Sequence, residues 1–319
     1  MKIIFADADT LGNDISFESF QELGEVIRYG HTKPEELQSR CEGADILITN
    51  KVPVTEDTLG PNPSIHYIGV TATGTNIIDL NYTKARQITV TNVKGYSTQS
   101  VAQHTFALLF YLLEKCYYYD NYVKSEQYVN DILFTHFENK FHELHGKTWG
   151  IVGLGDIGKQ VAEIAKVFGC NVIYYSTSGK NQNPNYQQTD FPTLLQCSDI
   201  ISIHAPLTPA TQNLFNEAAF HQMKSSSILI NVGRGPIIDE TALYKALTEN
   251  EILAAGLDVL CIEPMSKENP LVNFKDSNRL IITPHIAWAT VEARTRLMQE
   301  VCQNIKAYQN KIPRNIVLS

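Results

Sequence analysis

Three residues in the second half of the chain carry groups suited to carbonyl chemistry. Arg234 follows Ile230-Asn231-Val232-Gly233, Glu263 follows Gly256-Leu257-Asp258-Val259 by a short loop, and His285 follows Ile281-Ile282-Thr283-Pro284. A guanidinium holds a carboxylate in a two-pronged contact and polarises the adjacent carbonyl. An imidazolium donates the proton that completes a hydride addition. A carboxylate beside the imidazole favours its charged form and sets its tautomer. Together these are the groups that reduction of a 2-keto acid requires. Singly, each has a plainer reading: Arg234 as a surface charge in a glycine-rich turn, Glu263 as part of a solvated Glu-Pro turn, His285 as an ordinary histidine. Their joint placement after successive strand-like runs favours chemistry. His204, at the end of Ser202-Ile203-His204-Ala205-Pro206, ranks second. It has no carboxylate partner in the sequence and could simply line a cofactor site.

The run Trp149-Gly150-Ile151-Val152 leads straight into Gly153-Leu154-Gly155-Asp156-Ile157-Gly158. A strand ending in a G-x-G-x-x-G turn is suited to a dinucleotide pyrophosphate. Gly153 permits the tight turn, Gly155 lets backbone approach the phosphates, and Gly158 lets the next helix pack on the strand. The start of that helix, read from Lys159 to Phe168, offers free N–H groups and a partial positive charge to the anion. Without a ligand, the same residues would still make a tight strand-to-helix turn.

The elements that must position these groups form two sets. Before residue 98, short β-type runs at Ile3–Ala6, Asp45–Thr49, Tyr67–Val70 and Thr89–Asn92 alternate with helical segments, the pattern of a small α/β unit. Ser97 to Ser125 reads as one long helix, with Val101, Thr105, Leu108 and Leu112 at helical spacing. Its aromatics Tyr117, Tyr118, Tyr119 and Tyr122 read either as a subunit interface or as packing within the chain. From residue 147, six strands are expected: Thr148–Val152, Asn171–Tyr175, Ile200–His204, Ser227–Val232, Ala254–Asp258 and Arg279–Thr283. Helices separate the first five and a loop precedes the last, which describes a doubly wound parallel sheet. The final helical stretch, Ala289 to Asn310, carries Leu297, Val301, Ile305 and Tyr308 on one stripe and is expected to return to the first unit. The expected division is therefore a substrate domain of residues 1–98 and 288–319 with a dinucleotide-binding domain, 99–287, inserted into it. Two crossings near 98 and 288 would make a hinged cleft.

Composition narrows the alternatives. The 319 residues suffice for two domains, and a net charge of −8 without long runs of like charge argues against nucleic acid or an anionic membrane as partner. The apolar run Thr105 to Leu113 is about half of the roughly 20 residues a membrane span needs. The first strand is too short for a signal peptide. The six cysteines are scattered with no C-x-x-C pair, so reduced thiols, a cytoplasmic setting and no metal site are expected.

The segments GLGDIG, SIHAPLTPAT, ILINVGRGPIIDETAL, AAGLDVLCIEP and ITPHIAWAT, in this order and spacing, resemble the D-isomer-specific 2-hydroxyacid dehydrogenase family. The motifs run from about residue 97 to 290, and the inserted-domain layout covers the whole chain. The resemblance implies a Rossmann-type sheet inserted into a flavodoxin-like substrate domain, and a homodimer built around the helix before the glycine turn. It places the arginine at Arg234, the carboxylate at Glu263 and the acid–base histidine at His285. It assigns Asp258 to the nicotinamide carboxamide and the loop Val70–Gly74, through Thr73 and Gly74, to the substrate carboxylate. It sets Thr105, Asp156, Ile157, Thr177, Ala205, Pro206, Thr211, Val232 and Gly233 along the cofactor.

Within the family, a chain ending at residue 319 has no room for the regulatory domain of many phosphoglycerate dehydrogenases. Glu263 stands where formate dehydrogenases carry glutamine. Trp288, where phosphoglycerate-type enzymes usually carry glycine, resembles the glycerate dehydrogenase (hydroxypyruvate reductase) subgroup; its plainer reading is a structural indole at the crossing. The expected reaction is reduction of hydroxypyruvate to D-glycerate, or of glyoxylate to glycolate, with another short 2-keto acid as an alternative substrate. A dinucleotide-sensing corepressor with the same fold is the alternative of another class. NAD(H) is expected first from the family. NADP(H) stays open, because Ser176 occupies the place, eighteen residues after Gly158, where an acidic residue would bind both ribose hydroxyls.

Overall fold

The computed structural model describes residues 1–62, 64–180 and 182–317; positions 318 and 319 of the expected substrate domain lie outside them. The chain divides into two compact units. One is Met1–Ser97 with Trp288–Ser319, and the other is Thr98–Ala287.

The first unit holds β1 (Lys2–Phe5), α1 (Glu18–Gln21), β2 (Glu25–Arg28), α2 (Leu37–Arg40), β3 (Ile46–Thr49), α3 (Glu56–Leu59), β4 (Tyr67–Val70), α4 (Leu80–Ala85) and β5 (Thr89–Thr91). Its five strands are all parallel, in the order β2-β1-β3-β4-β5. This is the flavodoxin-like arrangement, with its switch point between β1 and β3. Alternation along β1 sends Ile3 and Phe5 into one apolar cluster and Ile4 and Ala6 into another, so both faces of the sheet are covered. Where four strands were expected there are five. The extra strand, β2, is an edge strand of sequence EVIR with both ends exposed, too short and too polar for its pattern to stand out.

The second unit holds α5 (Thr98–Leu113), α6 (Cys116–Lys124), β6 (Thr148–Val152), α7 (Asp156–Val167), β7 (Asn171–Tyr175), β8 (Gln187–Gln188), α8 (Phe191–Cys197), β9 (Ile200–Ile203), α9 (Glu217–Phe220), β10 (Ile228–Asn231), α10 (Glu240–Thr248), β11 (Ala254–Leu257) and β12 (Leu280–Ile282). The strands form one parallel sheet, β12-β11-β10-β9-β6-β7-β8. That is the doubly wound Rossmann order, reversing between β6 and β9, with one further strand at the far edge. The strand β8 was not expected. Two glutamines on an edge bury nothing and leave no periodic signal. The single helix expected from 97 to 125 is broken: Lys115 adopts a left-handed φ of 55°, and α6 starts after it.

The last helix, α11 (Val291–Gln309), belongs to the first unit. Its Leu297, Val301 and Ile305 are buried with Ile3 and Phe5, and Tyr308 lies 4.8 Å from Tyr67, ring centre to ring centre. Among the described residues, no helix is long and apolar enough to cross a membrane.

Candidate active site

The glycine turn lies at the switch point of the second sheet. Gly153 has φ 92°, and a Cβ there would come within 2.8 Å of the Ala205 nitrogen, so the ends of β6 and β9 meet too closely for any side chain. A Cβ on Gly158 would lie 2.3 Å from the Gly153 carbonyl oxygen, which seats α7 directly on the turn. At Gly155 a Cβ would meet nothing within 4 Å, and Gly155 and Asp156 face solvent, with Ile157 half-buried. The twelve-residue α7 starts here with the unsatisfied N–H groups of its first turn. An open backbone surface at a helix N-terminus fits a pyrophosphate. Ser176 immediately follows β7; its Oγ is buried and has no hydrogen-bond partner among the described residues. A hydroxyl left in this state suits a ribose hydroxyl or phosphate oxygen. Thr177 beside it is half-buried, Ala205 is buried and Pro206 exposed just beyond the end of β9, and Val232 and Gly233 follow β10.

The three candidate catalytic residues follow three neighbouring strands. After β10, the fully buried Asn231 shapes the turn: its Oδ1 accepts from the Gly233 N–H (3.0 Å) and its Nδ2 donates to the Arg234 carbonyl (3.0 Å). Arg234 Nη1 donates to the Gly233 carbonyl at 2.7 Å. A guanidinium carries five donors, so capacity for a carboxylate remains. After β11, Glu263 Oε1 accepts from the Leu260 N–H at 3.0 Å, which aims its other oxygen. After β12, His285 places Nδ1 2.7 Å from Glu263 Oε2, with about a quarter of the His285 side chain and a third of the Glu263 side chain exposed. His285 holds a left-handed φ of 55°, an unfavoured conformation for a residue with a Cβ. Two backbone acceptors fix it there, the carbonyls of Asp258 (2.8 Å) and Thr283 (2.9 Å), both receiving its N–H.

Two expected cofactor contacts, Thr105 and Thr211, are corrected by the geometry. Thr105 is fully buried in the middle of α5, and its hydroxyl donates to the Val101 carbonyl at 2.8 Å, so it has no surface to offer. Thr211 is also fully buried. Its hydroxyl accepts from the Thr208 N–H and donates to the Pro206 carbonyl, shaping the loop after β9 from behind. The Asp258 carboxylate is 1 % exposed and engaged. Oδ1 accepts from the Thr283 hydroxyl (2.6 Å) and the Ile286 N–H (2.9 Å), and Oδ2 accepts from the Ala287 N–H (2.8 Å). It holds the loop that carries His285. Sequence reasoning missed this role, because the partners are mostly backbone groups some 28 residues away.

His204 is set apart from the His285–Glu263 pair. Its Nε2 lies 2.9 Å from Ser202 Oγ, which also accepts from Trp149 Nε1, while its Nδ1 is sealed from solvent without a partner among the described residues. Burial pushes its pKa down to about 3, so it is neutral at working pH. In the first unit, exposed Thr73 and its neighbour Gly74 follow β4; the Thr73 hydroxyl donates to the Val93 carbonyl, and the Thr73 carbonyl accepts from Asn92 Nδ2. Trp288 packs edge-on against Tyr96, ring centres 6.3 Å apart, beside the Ile3 and Phe5 cluster. Of the tyrosines on α6, Tyr117 stays exposed. Tyr118, Tyr119 and Tyr122 pack with His136 of the same chain, Tyr122 stacked on it at 3.9 Å.

Residues 106–287 match the NAD-binding domain of the D-isomer specific 2-hydroxyacid dehydrogenases. The chain is 36% identical to a glycerate dehydrogenase from Methylorubrum extorquens over 317 residues, 99% of this chain and 98% of the relative. It is 36% identical to a hydroxypyruvate reductase from Blautia hydrogenotrophica, covering 99% of each. Among solved structures, an acyclic imino acid reductase in complex with NADPH and D-Arg superposes with a TM-score of 0.88 at 33% identity over the full length of both chains. A D-lactate dehydrogenase from Aquifex aeolicus with NAD and lactic acid superposes at 0.84, with 27% identity over 99% of each chain. With a G-x-G-x-x-G turn at the switch point and a histidine–carboxylate contact on neighbouring strand ends, the chain belongs to the D-isomer specific 2-hydroxyacid dehydrogenases, oxidoreductases that use a nicotinamide dinucleotide.

Proposed function

We propose that this enzyme reduces hydroxypyruvate to D-glycerate, and glyoxylate to glycolate, with His285 as the proton donor. The observation that carries the reading is the 2.7 Å contact between His285 Nδ1 and Glu263 Oε2, one strand away from Arg234. When bound, the nicotinamide supplies the hydride. Because Nδ1–H donates its hydrogen bond to the Glu263 carboxylate, Nε2 is the atom that meets the substrate oxygen. The carboxylate stabilises the imidazolium before the proton leaves and keeps Nδ1–H in place afterwards. Arg234 binds the substrate carboxylate and polarises the carbonyl beside it. Thr73 and Gly74 are assigned to the carboxylate and Trp288 to the small size of the substrate by the resemblance alone. The names of the relatives support the substrate choice: glycerate dehydrogenase, hydroxypyruvate reductase and, from Aeropyrum pernix at 37% identity, glyoxylate reductase.

We further infer that NADH is used first and that NADPH is also accepted. A hydroxyl at Ser176 neither repels a 2′-phosphate nor grips two ribose hydroxyls as a carboxylate would. The exposed apolar residues Val129, Ile132, Leu133, Phe134, Phe137 and Phe141 support a homodimer formed through the segment after α6. The unpaired thiols suit the cytoplasm. Following nicotinamide absorbance with hydroxypyruvate, glyoxylate, pyruvate and longer 2-keto acids, and with each dinucleotide, tests the reading. The expected result is the highest kcat/KM for hydroxypyruvate, with both cofactors turned over. A preference for a bulky 2-keto acid, or for NADPH by more than about a hundredfold, overturns the corresponding assignment.

A further inference from the structure

The loop 283–287 that carries His285 is held at both ends by one face of α5. Ser100 Oγ donates to the Ala287 carbonyl at 2.5 Å, and one helical turn later His104 Nε2 lies 2.9 Å from Thr283 Oγ1. Hydroxyl accounting sets the direction of the second bond. The Thr283 hydroxyl has one proton and donates it to Asp258 Oδ1 at 2.6 Å, so toward His104 it accepts, and His104 carries its proton on Nε2. The same Nε2 is 3.4 Å from Asp258 Oδ1. Asp258, 1 % exposed, in turn grips the N–H groups of Ile286 and Ala287. Thus every residue from 283 to 287 except Pro284 is tied, directly or through Asp258, to a network that ends in Ser100 and His104, His285 by its N–H to the Asp258 carbonyl. His285 itself sits in the middle with its left-handed backbone.

We propose that His104 is a positioning residue for His285. Through Thr283 and Asp258 it holds the loop in the one backbone conformation that delivers the imidazole to Glu263, and Ser100 fixes the far end. His104 transfers no proton in the reaction; its Nε2–H is a fixed donor in a network closed on Asp258. A left-handed residue returns to ordinary backbone when its restraints loosen. The imidazole then leaves Glu263, while the glycine turn and Ser176, on other strand ends, are untouched.

This inference rests on His285 being the proton donor. The test compares His104→Gln, His104→Asn and His104→Phe in the full-length enzyme with hydroxypyruvate and NADH. Glutamine places an amide N–H near the position of Nε2, asparagine falls one methylene short, and phenylalanine keeps the shape without a donor. The expected result is a kcat lowered about tenfold or more in the Asn and Phe variants, the scale of a sub-ångström to 1 Å misplacement. KM for hydroxypyruvate and the NADH Kd should stay within about threefold, and Gln should recover most of the loss. Ser100→Ala, a smaller change that leaves the His104 bonds in place, gives an independent second variant, also expected to lower kcat with the NADH Kd unchanged. A Phe variant with parental kcat, a Gln variant no better than Phe, or losses confined to NADH binding overturns the proposal. If His285→Ala itself stays fully active, the reading of the site has failed. If His285→Ala is inactive while His104→Phe and Ser100→Ala are normal, only this inference has.

Discussion

Gly235 directly follows Arg234, and its α-carbon is pressed against the loop that carries Glu263. A Cβ at this position would lie 2.0 Å from both the carbonyl carbon and the oxygen of Leu260 and 2.5 Å from the Cys261 nitrogen, all backbone atoms. That is about 1.5 Å short of ordinary carbon contact. No flexible side chain can yield, so in Gly235→Ala the loop must move. The loop is tied on both sides of the collision: Leu260 N–H donates to Glu263 Oε1 at 3.0 Å, and Cys261 N–H donates to Glu240 Oε1 at 2.8 Å. A shift of the required size breaks or bends the 2.7 Å contact from Glu263 to His285. Overpacking of this kind costs about 1–3 kcal/mol of stability, and a misplacement near 1 Å lowers turnover about a hundredfold. The companion variant is Gly155→Ala, where a Cβ meets nothing within 4 Å and φ is −79°. It should melt like the parent and bind NADH about tenfold more weakly or worse, because the methyl occupies the backbone surface offered to the pyrophosphate. Thermal melts, NADH titration by fluorescence and steady-state rates on both variants separate the two effects. A Gly235→Ala enzyme with parental Tm and kcat/KM would refute the claim that this glycine sets the Glu263 loop.

Three further outcomes are expected. His285→Ala should lower kcat by about 10²–10⁴-fold, the scale of a general acid, with NADH binding nearly intact; a fully active variant removes His285 from the mechanism. His204 has its pKa depressed from 6.5 to about 3 in the folded chain, so between these values the unfolded chain binds a proton that the folded one refuses. Its stabilising contribution is complete above pH 6.5 and is lost as pH falls toward 3, at up to about 1.4 kcal/mol per pH unit. Urea titrations at pH 7 and pH 5 should therefore show a loss for the parent that is smaller by up to about 2 kcal/mol in His204→Gln; parallel pH dependences of the two proteins would dismiss the buried neutral imidazole. Finally, Phe134 and Phe137 are 89% and 76% exposed, and Phe134→Asp with Phe137→Asp should convert a dimer to a monomer in sedimentation, whereas an unchanged mass rules out that surface.

Much of the architecture was legible because parallel strands buried on both faces read as apolar runs. Tyr67–Val70, Thr148–Val152 and Asn171–Tyr175 stand in the structure with the bounds expected from sequence. What escaped were elements with no apolar signal: the edge strands β2 and β8, and the break at Lys115, where a backbone angle and not composition ends the helix. Arg234, Glu263 and His285 stood out because chemically distinctive side chains follow apolar runs. Thr105 and Thr211 misled because a threonine beside a cofactor motif looks the same whether its hydroxyl faces outward or is spent on a carbonyl of its own loop.

By itself, the order of residues determined that a G-x-G-x-x-G turn follows a buried strand in mid-chain, that Ser176 replaces an acidic residue, and which three side chains could bind and protonate a keto acid. These follow from local pattern and residue type. The tertiary structure alone decided that Glu263 meets His285, that Asp258 spends its carboxylate on the loop 283–287, and that Ser100 and His104 grip the ends of that loop. The physical reason is separation along the chain. Ser100 and Ala287 are 187 residues apart and become neighbours only when the parallel sheet and α5 pack together. The left-handed backbone of His285 likewise has no signature in its residue type; its N–H is held by the carbonyls of Asp258 and Thr283.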